Sequence, residues 1–263
     1  LRQCAERAGA LTITAHYGGR WRPSQEIVEM NPLDRPVWAS LSGAHAQLSL
    51  GDALARRYRP DVNQFASACR DDDEQAQAAL AGLLGPGDEV IVLQVPPVVV
   101  PPGCAVRKSA QGVQMVATQA VQTPPSVSGA VRLGDADAPE MLALAQLTQP
   151  GPFFPATHTM GTFWGLRIDG RLAAMAGERL RPPGHTEVSG VCTHPDFRGR
   201  GLARTLSALV AARIQARGET PFLHAWKTNA GAIQLYESLG FRLRAEVDVK
   251  IIARAGEGAS SAG

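Results

Sequence analysis

The apolar positions of the chain fall into a weakly patterned first half and a sharply patterned second half. Residues 1 to 30 carry few apolar positions at regular spacing and include Gly18-Gly19, which predicts a poorly specified N-terminal segment. From Pro36, Val37, Trp38, Ala39 and Leu41, followed by Ala44 and Leu48, have helical spacing, and a proline suits a helix start. Arg70-Asp71-Asp72-Asp73 precedes Ala76, Ala79, Leu80, Leu83 and Leu84, a second helix with acidic residues at its N-terminus, stopped by Gly85-Pro86-Gly87. Glu89 to Leu93 and Gly112 to Ala117 read as strands. Residues 31–125 are thus expected to form a small α+β domain.

Thr123-Pro124-Pro125-Ser126-Val127-Ser128-Gly129 is the best linker candidate, because paired prolines interrupt both helix and sheet. Beyond it, Asp137-Ala138-Pro139-Glu140 opens a helix through Leu142, Leu144 and Leu147. Thr162 to Ile168 and Leu172 to Gly177 flank Asp169-Gly170, a strong two-residue hairpin signal. A strand over Thr186 to Thr193 follows, then a helix over Gly201 to Ala216 and a strand over Pro221 to Trp226. A helix over Ala230 to Leu239, ended by Gly240, and a strand over Phe241 to Ile252 complete a second domain over residues 126–256, with a tail at 257–263.

Composition narrows the classes. A net charge of +2 is too small to suggest nucleic-acid or membrane-surface binding. No apolar run approaches the roughly 20 residues of a membrane span, and the Leu11–Thr14 stretch is too short and polar for a secretory signal. Cytoplasmic residence is the default. The cysteines Cys4, Cys69, Cys104 and Cys192 are scattered, with no paired spacing for a metal, so free thiols and no metal site are expected.

The sharpest chemistry lies in Arg198-Gly199-Arg200-Gly201-Leu202-Ala203, between a strand and an amphipathic helix whose stripe is Leu202, Leu206, Leu209, Val210 and Ile214. The first amides of a helix are unpaired and its dipole favours an anion there. Glycines allow close backbone approach and arginines add charge-assisted contacts. A Walker loop would need Lys-Ser/Thr where Leu202-Ala203 stand, and a dinucleotide fingerprint would need glycine where Arg204 stands.

The spacing of Arg198, Gly201 and Ala203 resembles the Arg/Gln-x-x-Gly-x-Gly/Ala motif of GNAT acyltransferases. Asn229, Ala232, Leu235, Tyr236, Gly240 and Phe241 match a second segment of that superfamily, Asn-x-x-Ala-x-x-Leu-Tyr-x-x-x-Gly-Phe. Both lie in the right order on the right elements. The resemblance covers about half the chain and is to bacterial FR47-like and glycine N-acyltransferase-like members. It implies an α+β GNAT fold, a mostly antiparallel splayed sheet flanked by helices, preceded by a smaller domain that could itself be a worn copy of the fold.

The resemblance also implies acetyl-CoA, or another short acyl-CoA, as cosubstrate. Arg198 to Ala203 would hold its pyrophosphate, and Gly190, Val191, Cys192 and Thr193 would pair with its pantetheine arm. Asn229 and Ala232 would lie beside that arm and Tyr236 near the sulfur, as the acid for the leaving thiolate. Glu187 matches the catalytic glutamate of glycine N-acyltransferases, in a stretch continued by Thr193, Pro195, Phe197 and Arg198. His224, on the next strand, is the alternative base. Cys192 is read as packing rather than as a nucleophile.

For the acceptor, Phe153, Phe154 and His158 in a Pro-rich loop are candidate wall residues, with Trp226 and Arg179 at the rim. The implied activity is transfer of an acyl group to the primary amine of a small molecule or amino acid, by direct attack in a ternary complex. Acetylation of a protein N-terminus and a CoA-binding module without catalysis are the alternatives. The N-terminal half could complete the acceptor pocket or supply a homodimer surface.

Overall fold

A computed structural model describes residues 31–122, 127 and 129–255 of the protein. The expected N-terminal segment, most of the Thr123–Gly129 linker and the tail at 257–263 lie outside the described residues. The first half contributes helix α1 (Pro36–Leu41), short strands β1 (Ser49–Gly51), β2 (Ala55–Tyr58) and β3 (Ala66–Ala68), helix α2 (Glu74–Gly82), and strands β4 (Glu89–Gln94) and β5 (Cys104–Ala117). The second half gives β6 (Ala130–Leu133), α3 (Ala138–Thr148), β7 (Phe163–Ile168), β8 (Arg171–Glu178), β9 (His185–Thr193), α4 (Leu202–Ala216), β10 (Thr220–Trp226), α5 (Ala230–Ser238) and β11 (Phe241–Arg254).

Local chemistry explains most boundaries. Pro36 opens α1, and the Asp73 carboxylate caps α2 by accepting from the Gln75 and Ala76 amides at 2.9 and 3.1 Å. Asp169 and Gly170 both take positive φ, 50° and 77°, as a tight turn between twisted strands requires. The β7–β8 hairpin is therefore where its turn signal placed it.

The strands β4 to β11 form one sheet in the order β4-β11-β5-β10-β9-β8-β7-β6, and β1-β2-β3 form a small second sheet. Only β9 and β10 run parallel; every other neighbouring pair in the large sheet is antiparallel. The architecture is thus α+β with a mixed, mostly antiparallel sheet. Residues 31–255 fall in a single compact unit, which corrects the boundary expected near residue 125. The physical reason is pairing: β5 lies between β10 and β11, bonded to β11 along its length and to β10 over Gly112–Val116. Its first half escaped the pattern because Arg107, Lys108, Ser109 and Gln111 are all exposed there, with no apolar alternation to read.

Two layers cover the sheet. On one face α4 packs Leu206, Leu209, Val210 and Ile214 against Met115, Leu223 and Phe241. On the other, Leu41, Tyr58, Val62 and Phe65 pack against Ile91, Leu93, Phe222, Val247 and Val249. Each such side chain contributes about 1.5–3 kcal/mol of burial. Residues two apart on a strand share a face, so His224 stands on the Phe222 side of β10, towards the N-terminal elements. Among the described residues no helix is long and apolar enough to cross a membrane.

The parallel pair then opens. β10 meets β9 only at Thr220–Phe222 against His185–Glu187. Beyond Glu187 the register of β9 with β8 shifts at a bulge, where Gly190 has φ 62°. A Cβ on Gly190 would sit 2.9 Å from the Phe163 ring, so both conformation and space call for glycine. The separating strands leave a V in the middle of the sheet.

Candidate active site

A cleft of about 570 Å³ occupies that V. Its cradle is built by the turn between β9 and α4. Gly199 and Gly201 take φ 76° and 73°, the left-handed region that favours glycine, and Gly201 forms the N-cap of α4 without any side-chain cap. The first amides of α4 therefore have no carbonyl ahead of them in the helix and line the cleft with Gly199 to Arg204. Neither Arg198 nor Arg200 has an ion-pair partner among the described residues. Arg200 lies over the Phe197 ring at 5.4 Å, which holds its stem in place.

One wall of the cleft is β9 and the facing wall is α5. Val191, Cys192 and Thr193 line it, whereas Gly190 borders a smaller adjoining cavity. The β9 edge that β10 abandons has backbone groups free to bond an extended ligand, and the Thr193 hydroxyl is buried without a partner. These features fit a coenzyme A: amides and cations for phosphate, a strand edge for pantetheine. Asn229, Ala232 and Tyr236 line the opposite side, with the Asn229 Oδ1 also capping α5 by accepting from the Ala232 amide at 3.1 Å. Burial pushes the Cys192 thiol up to about 11, so it stays an unreactive thiol.

Where the V begins lies a closed polar network. Glu187 is fully buried and accepts from Arg179 Nε and Nη2 at 2.8 and 2.7 Å, from the Leu180 amide at 3.2 Å and from His224 Nδ1 at 2.8 Å. Burial alone would raise its pKa; the Arg179 charge and hydrogen bonds outweigh burial and hold the carboxyl well below the usual range. A carboxylate so fully engaged has little basicity left, so the expectation of Glu187 as the base does not fit its surroundings. It fits the role of anchor.

His224 is what Glu187 anchors. Gln114 donates its side-chain N–H to His224 Nε2 at 3.0 Å and to the Leu33 carbonyl at 2.8 Å, while its Oε1 accepts from Arg244 at 2.8 Å. Arg244 thereby fixes the orientation of the amide, and the amide makes Nε2 an acceptor. The network assigns the Nδ1–H tautomer, donating to Glu187. Tyr236 faces the same region. Burial first, and then the Glu187 charge, push its phenol up to about 12, so it keeps its proton near neutral pH.

The acceptor loop differs from expectation. Phe153 stacks edge-on against Phe163 at 5.7 Å and borders only the small cavity. Phe154 borders neither cavity, its amide being tied to the Thr157 hydroxyl at 2.7 Å, and His158 Nε2 is drawn 3.0 Å from Asp135. What the stiff loop offers the cleft is Gln149 to Pro152. Trp226 lines the cleft and is 48% exposed, as a rim residue should be, but Arg179 is locked on Glu187 with its guanidinium 4.9 Å over Phe65. The remaining wall is Phe65 with Ile91, Leu93, Val247 and Val249. Nothing local in the sequence marks these five: Phe65 stands just before β3, and the other four read as ordinary strand positions on β4 and β11.

Comparison with known proteins agrees with the geometry. The FR47-like protein family matches residues 164–249. A crystal structure of an acetyltransferase from the GNAT family of Novosphingobium aromaticivorans is 48% identical, with a TM-score of 0.80 over 86% of this chain and 99% of that one. The [ribosomal protein bS18]-alanine N-acetyltransferase of Salmonella typhimurium is 39% identical over 113 residues, 39% of this chain and 74% of that protein. Mycothiol acetyltransferase of Thermobispora bispora is 38% identical over 101 residues, 38% of this chain and only 32% of that protein.

Proposed function

The chain belongs to the GNAT family of N-acetyltransferases, and from that premise we propose that it transfers an acetyl or other short acyl group from acyl-CoA to the primary amine of a small molecule or amino acid. The observation that carries this reading is one continuous cleft that joins the α4 amide cradle to Tyr236 and His224. GNAT acetyltransferases use acetyl-CoA, which when bound would supply an activated acyl thioester. Its pyrophosphate suits the amides of Leu202 and Ala203 with Arg198 and Arg200, and its amides suit the free edge at Val191 and Thr193.

The residues of this chain divide the remaining work. Tyr236 holds its proton at Oη, the form that can be given up to a departing thiolate. His224 has one lone pair, at Nε2, where it accepts from Gln114, and the acceptor's proton can go there once that amide gives way. Glu187, held by Arg179, would stabilise the imidazolium that results, as a buried carboxylate does for a catalytic histidine. Attack is direct, because the Cys192 thiol is held unreactive. The free cysteines agree with action in the cytoplasm.

The likeness to a ribosomal-protein alanine acetyltransferase favours a second reading, in which the acceptor is a protein α-amino group. Calorimetric titration with acetyl-CoA tests both. Binding in the micromolar range that Gly201→Trp abolishes is the expected result, followed by thiol release with amines or N-terminal peptides. Absence of binding to any CoA species would refute the proposal.

A further inference from the structure

The charges around the cleft are one-sided. Its lining carries Arg179, Arg198, Arg200 and Arg204, and no Asp or Glu among the described residues. The carboxylate beneath it, Glu187, is already neutralised by Arg179. Beyond β10 the wall turns apolar: Ile91 and Leu93 from β4, Val247 and Val249 from β11, and Phe65 between them and Arg179. In the sheet, β11 and β4 lie two and three strands beyond β10, away from the α4 cradle. This wall therefore belongs to the part of the cleft that the acyl donor leaves to the acceptor.

We infer that the acceptor is a weakly basic primary amine carried on an apolar body, and that the wall of Phe65, Ile91, Leu93 and Val249 selects it. The inference rests on the acyl transfer proposed above. An ammonium entering this region would lose water and meet no carboxylate, and burial without a counter-charge disfavours the charged form. Only the neutral amine can attack in any case. At pH 7.5 an α-amino group of pKa about 8 is roughly a quarter neutral, whereas an alkylamine of lysine-like pKa, about 10.4, is neutral in roughly one molecule per thousand. A site without an acidic residue to receive a cation thus suits the first kind and wastes most encounters with the second.

The test compares initial rates of thiol release at saturating acetyl-CoA and pH 7.5 for phenylalanine amide, phenethylamine, glycine amide and spermidine. Phenethylamine shares the apolar body but is the stronger base; glycine amide shares the amino group but lacks the body. The expected order of kcat/KM puts phenylalanine amide at least tenfold above each of the other three. Preference for spermidine or phenethylamine, or equality with glycine amide, overturns the inference while leaving acyl transfer intact. Failure of acetyl-CoA to bind by calorimetry removes the underlying reading and the inference with it. Val249→Ala, with acetyl-CoA affinity unchanged as the check on folding, should raise the rate for tryptophan amide relative to phenylalanine amide severalfold. An unchanged ratio would remove the wall from acceptor choice.

Discussion

Arg198 and Arg179 line the same cleft and lead opposite lives. Arg198 lines the cleft just before the N-terminus of α4 with no carboxylate partner among the described residues, and Arg179 is clamped by two hydrogen bonds on a fully buried glutamate. An arginine left unpaired beside a helix N-terminus is an offer to an anion. An arginine spent on a buried carboxylate is scaffold, whatever cavity it borders. Partner and burial decide the role; residue type does not.

That contrast can be broken by experiment, starting where the effect is greatest. Arg179→Met leaves Glu187 buried without its guanidinium partner, which should lower unfolding free energy by about 3–5 kcal/mol in a denaturant titration. Adding Glu187→Gln should recover part of that loss; no recovery would mean that the pair is not the cause.

Acid should act on the closed side of the cleft. Burial lowers His45, which accepts from the Tyr58 hydroxyl at 2.8 Å, from 6.5 to about 4. The unfolded chain then binds the extra proton between those values, so stability should fall by about 3 kcal/mol as pH drops from 6.5 to 4. Glu187 has its folded pKa lowered too: its share is complete above about pH 4.5 and is lost as pH falls further. His45→Gln should flatten the upper part of the curve, and a curve identical to that of the parent would refute the assignment.

Between the two sides stands Tyr236. Tyr236→Phe should lower kcat about a hundredfold with acetyl-CoA affinity unchanged, since the phenol's proposed role is only towards the departing thiolate. Unaltered kcat removes it from the mechanism. The smallest effect belongs to the open side: Arg198→Ala should weaken acetyl-CoA binding about tenfold, one charge-assisted hydrogen bond, and leave the melting temperature within about a degree. A large fall in melting temperature would place Arg198 among the scaffold residues instead.

The two sides also differed in how far the sequence disclosed them. The cradle was legible because its chemistry is local: Arg198, Gly199, Gly201 and the stripe of α4 lie within one turn and one helix. Tyr236 and Asn229 were legible for the same reason, on one cap and one helical face. The network around Glu187 was only half so. Glu187 and His224 stood out by type, but Arg179, just after β8, and Gln114, on β5, settle what they can do and meet them through sheet register. Phe153 and His158 misled because a loop's direction depends on what it packs against, here Phe163 and Asp135. The apolar wall was invisible for a related reason, since β4 and β11 are 147 residues apart at its Phe241 and Gln94 ends and no local pattern says they adjoin.

The seating of β11 between β4 and β5 has a consequence for how the chain is made. Strands β4 and β5 leave the ribosome well before the neighbour that separates them in the sheet, Phe241–Arg254. Until it emerges, both present unpaired edges, and the sheet can close only after synthesis has passed residue 254. A nascent chain stalled short of that point should therefore be protease-sensitive at β4 and β5, and a stop codon that removes β11 should leave both of those strands without their shared neighbour.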